Sequence, residues 1–310
     1  MARRKAFVHI GLPHSGGAIL DPALEHHEAS LSRLGVHRPA KSADEMFRAA
    51  VEILRDHRAW GYRRRDVEGS WSAVCRRARK GKGAVVVGQH LLAAAAPVEI
   101  DLFLEGLAGF EVHIVVIAAA PANQATAPNE AGDLSGVLDR WAAALRRPDR
   151  VHVIVAPDID RRAQAIWAAY GRIVGFDASA LHLPDLSTTE AARTLALRHS
   201  PLWEFDRALT SLDPHESRVE LADRWAKDIA DGGYDLHGDT ADLIPVRGAA
   251  RSWTASGTED RLRAAEGLLG DALVESARLR AHNEVLEQRL ATLQRSRKKL
   301  KRRLADLISG

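Results

Sequence analysis

Eight residues near the N-terminus, Gly11-Leu12-Pro13-His14-Ser15-Gly16-Gly17-Ala18, combine the types that can hold an anion: glycines, a hydroxyl and an imidazole, set between an apolar β-branched run and a helix-like stretch. Glycines let backbone N–H groups approach an anion closely. The first turn of a following helix adds unpaired N–H groups and a partial positive charge. Any tight strand-to-helix turn also demands glycine, so a purely structural reading of the loop stays open at this level. Pro22 constrains the geometry further. In a helix begun at Gly17 or Ala18 its ring would meet the carbonyl four residues back, at a cost of about 3 kcal/mol. Asp21-Pro22 is therefore expected as an N-cap and first helical residue, starting the helix about a turn late.

Other candidate groups carry less. His26-His27-Glu28 offers two imidazoles, but neighbours on a helix point about 100° apart, and the chain has no HExxH spacing. His9, His113 and His152 fall inside strand-like runs, where core positions are expected, so the sequence predicts no metal site. Cys75, flanked by Arg76 and Arg77, is the only cysteine. It can form neither an intrachain disulfide nor a CxxC pair, and it reads as a helix-face residue rather than a nucleophile.

The elements that must position these groups follow from periodicity. Apolar runs at 6–10, 84–87, 112–117 and 151–155 are short and apolar on both faces, as strands of a helix-covered parallel sheet are. Helical spacing recurs at 44–57, 98–107, 137–145, 164–173 and 218–230, with a further helix expected from Thr188. The fold class is α/β: a P-loop-type parallel sheet sandwiched by helices. It is expected to span residues 1–247, followed by a linker at 248–257 and a C-terminal coiled-coil helix at 258–310.

That last segment places Leu279, Leu286, Leu293, Leu300 and Leu307 at sevenfold spacing, with Ser276, Asn283, Leu290, Arg297 and Leu304 at the alternate core positions. Asn283 favours a parallel two-stranded pairing, which makes a homodimer the expected assembly. A single amphipathic helix folded back on the domain is the alternative. The basic run Arg295–Arg303 reads as a solvated helix face or as a contact for an anionic surface, and not as a specific DNA reader. With 46% hydrophobic and 27% charged residues the 310-residue chain is expected to be globular, and one cysteine with no bilayer-length apolar run predicts a cytoplasmic protein.

The segments Phe7–Pro13, Ala84–Leu92, Glu111–Val116, Arg150–Val155 and Trp225–Pro245, in that order, resemble the blocks of the sulfotransferase family, most closely sulfotransferase-like proteins of actinobacterial type. The resemblance covers about residues 5–247. It implies a cofactor site for 3′-phosphoadenosine 5′-phosphosulfate (PAPS) at Gly11, Leu12, Pro13, His14, Ser15, Gly16, Gly17 and Ala18. Ser15 and Gly16 would meet the 5′-phosphate, His14 would lie near the sulfuryl group, and His90 would be the candidate base. The acceptor would be a hydroxyl of a carbohydrate or small metabolite. The family's loop lysine is His14 here, two loop hydroxyls are Gly17 and Ala18, and Ala119 stands where the third block carries arginine. The resemblance thus implies either a weakened enzyme or a pseudoenzyme scaffold working through its coiled coil. Deleting residues 258–310 is expected to convert a dimer into a monomer in sedimentation; a monomeric full-length chain would refute the zipper.

Overall fold

The computed structural model describes residues 3–12, 15–58, 60, 62–121, 133–157, 159–183 and 215–244, all within one compact unit, Met1–Val246. The helix expected from Thr188, the linker, the zipper and the basic run lie outside the described residues.

Six strands form one parallel sheet: β1 (Lys5–Gly11), β2 (Val36–His37), β3 (Ala84–Gly88), β4 (Glu111–Ala118), β5 (Val151–Val155) and β6 (Asp235–His237), in the order β2-β3-β1-β4-β5-β6. Between them run α1 (Leu20–His26), α2 (Glu28–Arg33), α3 (Ala43–Ile53), α4 (Arg64–Val67), α5 (Ser70–Lys80), α6 (Pro97–Gly106), α7 (Leu134–Leu145), α8 (Ile159–Val174) and α9 (His215–Asp231). The four long apolar runs are strands as their sequence implies. β2 and β6 are additions, too short to carry a pattern. The helix expected over 44–57 stops at Ile53, because Arg55 turns to a positive φ of 54°.

Side-chain alternation along the strands divides the interior into two layers. Ala6, Val8, Ile10, Val85, Val87, Ile114, Val116, Val151 and Val153 pack beneath α3, α5, α6, α7 and α9. Phe7, Val86, Val115, Ile117 and Ile154 pack beneath α1, α2 and α8. Burial on both faces is why these strands read as unbroken apolar runs. The order also fixes where chemistry belongs. The connection leaving β1 passes to the α1–α2 face, whereas those leaving its neighbours β3 and β4 pass to the opposite face. The crevice beyond the carboxyl end of β1 is thus a topological switch point, the usual ligand position in open α/β sheets. No helix among the described residues is long and apolar enough to cross a membrane.

Trp71 stacks on Phe103 with ring centroids 4.2 Å apart and Phe103 meets Trp141 edge-on at 5.9 Å, which ties α5, α6 and α7 together over the sheet. Phe103 is fully buried. Phe103→Ala is expected to cost about 3–5 kcal/mol, read as a lower urea midpoint at unchanged slope.

Candidate functional site

The glycine loop occupies the switch point. Leu12 N donates to Ile117 O at 3.0 Å and Ser15 N to Leu12 O at 3.2 Å, pinning the loop against β4. Gly16 adopts φ 89°, the left-handed region that glycine enters without penalty, and a turn of 3-10 helix at Gly17–Ile19 leads into α1. Ser15 is 2% exposed and its hydroxyl lies against Gly11. Pro13 and His14 lie outside the described residues, as does the side chain of Ala18.

The helix start corrects one expectation. Ile19 is the N-cap, so Asp21 and Pro22 are the second and third residues of α1 rather than its cap and first residue. The physical reason is that the first four N–H groups of a helix have no intrahelical acceptor, so a proline in the first turn forfeits nothing. The delay itself occurs, through the 3-10 turn.

Freed from capping, Asp21 turns toward β1. Its Oδ1 lies 3.4 Å from His9 Nε2, a polar contact longer than a good hydrogen bond. His9 Nδ1 lies 3.2 Å from the Tyr170 hydroxyl on α8. A carboxylate only accepts, so the imidazole hydrogen belongs on Nε2 and Tyr170 donates to Nδ1. Burial pushes the Tyr170 phenol up, so it keeps its hydrogen. Burial alone would raise Asp21 too, but contact with His9, reinforced by the charges of Arg38 and His90, outweighs it and holds the carboxyl below its ordinary range. Arg38 is itself buried and bonds Glu25 Oε2 at 2.8 Å.

His90 opens a 3-10 turn after β3 and, when protonated, helps to hold Asp21 ionised. Gln89 before it is 1% exposed and accepts from Leu91 N. Gly88 is required by close approach, since a Cβ there would overlap the His9 carbonyl oxygen. At the carboxyl end of β4, Ala118 and the following Ala119 are buried. The group that sequence reasoning missed is Arg162 of α8. Its Cδ lies 2.7 Å from where a Gly16 Cβ would stand, and its Nε donates to Pro157 O at 3.2 Å. No local spacing links residues 16 and 162; only the packing of α8 on the same sheet face as α1 brings the Arg162 side chain to the loop.

The remaining candidates separate from this site. Cys75 is buried in α5 and its thiol is pushed up to about 11 by burial, which makes it a poor nucleophile. His113 and His152 are each 8% exposed, at the amino ends of β4 and β5, far along the sheet from the loop. Burial lowers both, against the opposing pull of Glu111 on His113 and of Asp235 on His152. Comparison of the chain with family models, curated proteins and solved structures finds no match.

Because the folded carboxyl of Asp21 titrates below its unfolded counterpart, its contribution is present above about pH 4 and is lost as pH falls through the folded value. Asp21→Asn is expected to lower stability by about 1–3 kcal/mol at pH 7. The deficit should shrink toward pH 3 in urea unfolding curves, and a pH-independent deficit would contradict an ionised Asp21 in the folded chain.

Proposed function

We propose that the chain is a sulfotransferase-like P-loop-type domain with a degenerate cofactor site, in which the phosphate-binding loop persists and the groups for sulfuryl transfer do not. The observation that carries this reading is the glycine loop at the switch point, with Gly16 in a left-handed conformation and the side chain of Arg162 over it.

The residues present suit a phosphate better than a sulfuryl group in flight. The amides of Gly16 and Gly17, the Ser15 hydroxyl and the Arg162 guanidinium would meet the phosphate side of PAPS, with Arg162 standing in for the missing loop lysine. PAPS would itself supply the activated sulfuryl group. Transfer needs further cations and a base, because charge moves between two oxygens in the transition state. His14 is a weak substitute, an ordinary imidazole being mostly neutral at pH 7, and Ala119 supplies nothing. Losing one preorganised donor typically costs about 2.7–4 kcal/mol in the transition state. Several are lost here, so no transfer step follows from these residues. His90 remains the candidate base for a hydroxyl acceptor, carbohydrate or small metabolite.

The second reading is a scaffold that dimerises or holds a partner through residues 258–310, with the 295–303 run against an anionic surface. Asp21 favours it. A carboxylate in the first turn of α1 offsets the positive potential there and repels an incoming phosphate.

Calorimetric titration with 3′-phosphoadenosine 5′-phosphate separates the two. Micromolar binding that weakens at least tenfold in Arg162→Ala and tightens in His14→Lys is the expected result. Absence of binding at millimolar ligand would leave the scaffold reading.

A further inference from the structure

At the opposite end of the sheet from the glycine loop, five polar side chains line up across three strands. Glu111 Oε1 lies 3.1 Å from His113 Nε2, His113 Nδ1 lies 2.9 Å from His152 Nε2, and His152 Nδ1 lies 2.6 Å from Asp235 Oδ2. The same Asp235 oxygen lies 2.9 Å from His237 Nε2. Strand register makes the row: His152 pairs directly with Asp235, and Ile154 with His237, so Asp235 and His237 sit two apart on one face of β6.

Counting hydrogens exposes a conflict. Three contacts join Glu111, His113, His152 and Asp235 in series, and each needs one hydrogen. Ionised carboxylates only accept, and a neutral imidazole carries one N–H. Two imidazoles thus serve three contacts. If Glu111 accepts from His113 Nε2, then His113 Nδ1 must accept from His152 Nε2. His152 Nδ1 is left with a lone pair aimed at a carboxylate oxygen 2.6 Å away. Either a second proton on His152 or a metal ion at that end removes the conflict.

We propose that His152, Asp235 and His237 form a binding site for a divalent transition metal of the zinc class, with His113 and Glu111 orienting the inner ligand. One ligand atom from each of the three lies within 4.8 Å of the others, close enough for small rotations to bring all onto one ion. Two imidazoles and a carboxylate are the donor set of zinc and its first-row neighbours, whereas magnesium and calcium prefer oxygen alone. The inner ligand passes its second N–H to His113 and on to Glu111, the arrangement that fixes tautomer and orientation in metal-binding histidines. The Asp235 side chain is 50% exposed and that of His237 17%, so the ion would face solvent and keep a position open for water or a further ligand. The set is invisible to spacing along the chain, since 83 residues separate His152 from Asp235. It is also independent of the loop and of any reading of the loop's function.

The test uses untagged full-length protein stripped with a chelator. Calorimetric titration with Zn²⁺ and visible absorption with Co²⁺ should show one equivalent bound, and Zn²⁺ but not Mg²⁺ should raise the Tm. Asp235→Asn and His237→Ala, each checked for wild-type circular dichroism, should weaken that equivalent at least tenfold, and His113→Phe about 10–100-fold through lost orientation. Absence of a saturable equivalent in the wild type, or an equivalent that both Asp235→Asn and His237→Ala leave unchanged, would overturn the site. Should either variant misfold, the wild-type stoichiometry, the Co²⁺ spectrum and the Zn²⁺-specific rise in Tm still decide the question.

Discussion

The double burial of β1 is the constraint from which the rest of the unit follows. Paired with β3 on one edge and β4 on the other, it has no free backbone edge over most of its length, and its side chains feed both hydrophobic layers. A strand so placed must be apolar on both faces, because a buried polar group without a partner costs several times what a made hydrogen bond returns. His9 is the exception, and the surroundings answer it with Tyr170 from α8 and Asp21 from α1. One polar residue in the central strand thereby fixes how two helices approach the sheet. It also sets the charge of the first turn of α1, which is the part of the fold that any ligand of the glycine loop would meet.

The two faces differ in kind. Beneath α3, α5, α6, α7 and α9 the inner strands present only aliphatic side chains, and stability there comes from area removed from water and from aromatic stacking. The face under α1, α2 and α8 carries His9, His113 and His152, each buried and each with a named polar neighbour. Apolar and polar specification are thus segregated by the two-residue period of the strands. The polar face holds both the loop's supporting contacts and the row ending at His237, at opposite ends of the strands.

Much of the architecture was legible in the residues. The four long β-branched runs implied parallel strands under helices, and strands of that kind are what these stretches form. Short elements were not legible. β2 and β6 together cover five residues, and no period can be read from two or three positions. The site was legible in part. The glycine loop announced itself by composition, and Gly16 has the conformation that explains its glycine. Arg162 and Asp21 did not, because their roles come from helix packing rather than spacing. Treating the strand histidines as separate core residues missed how the register joins His113 and His152 to Asp235 and His237. Periodicity shows which face a residue occupies, whereas register shows whom it meets.

The two edge strands have a consequence for association. β2 offers two residues and β6 three, and β6 opens with a half-exposed aspartate. Edges so short give another chain little backbone to add a strand to, and the Asp235 carboxylate adds a charge to one of them. Within the described residues, then, the sheet is closed to growth by pairing, and copies of this unit would have to meet through side-chain surfaces or through chain segments outside it. Among the described residues neither edge offers the long bare backbone that invites strand addition.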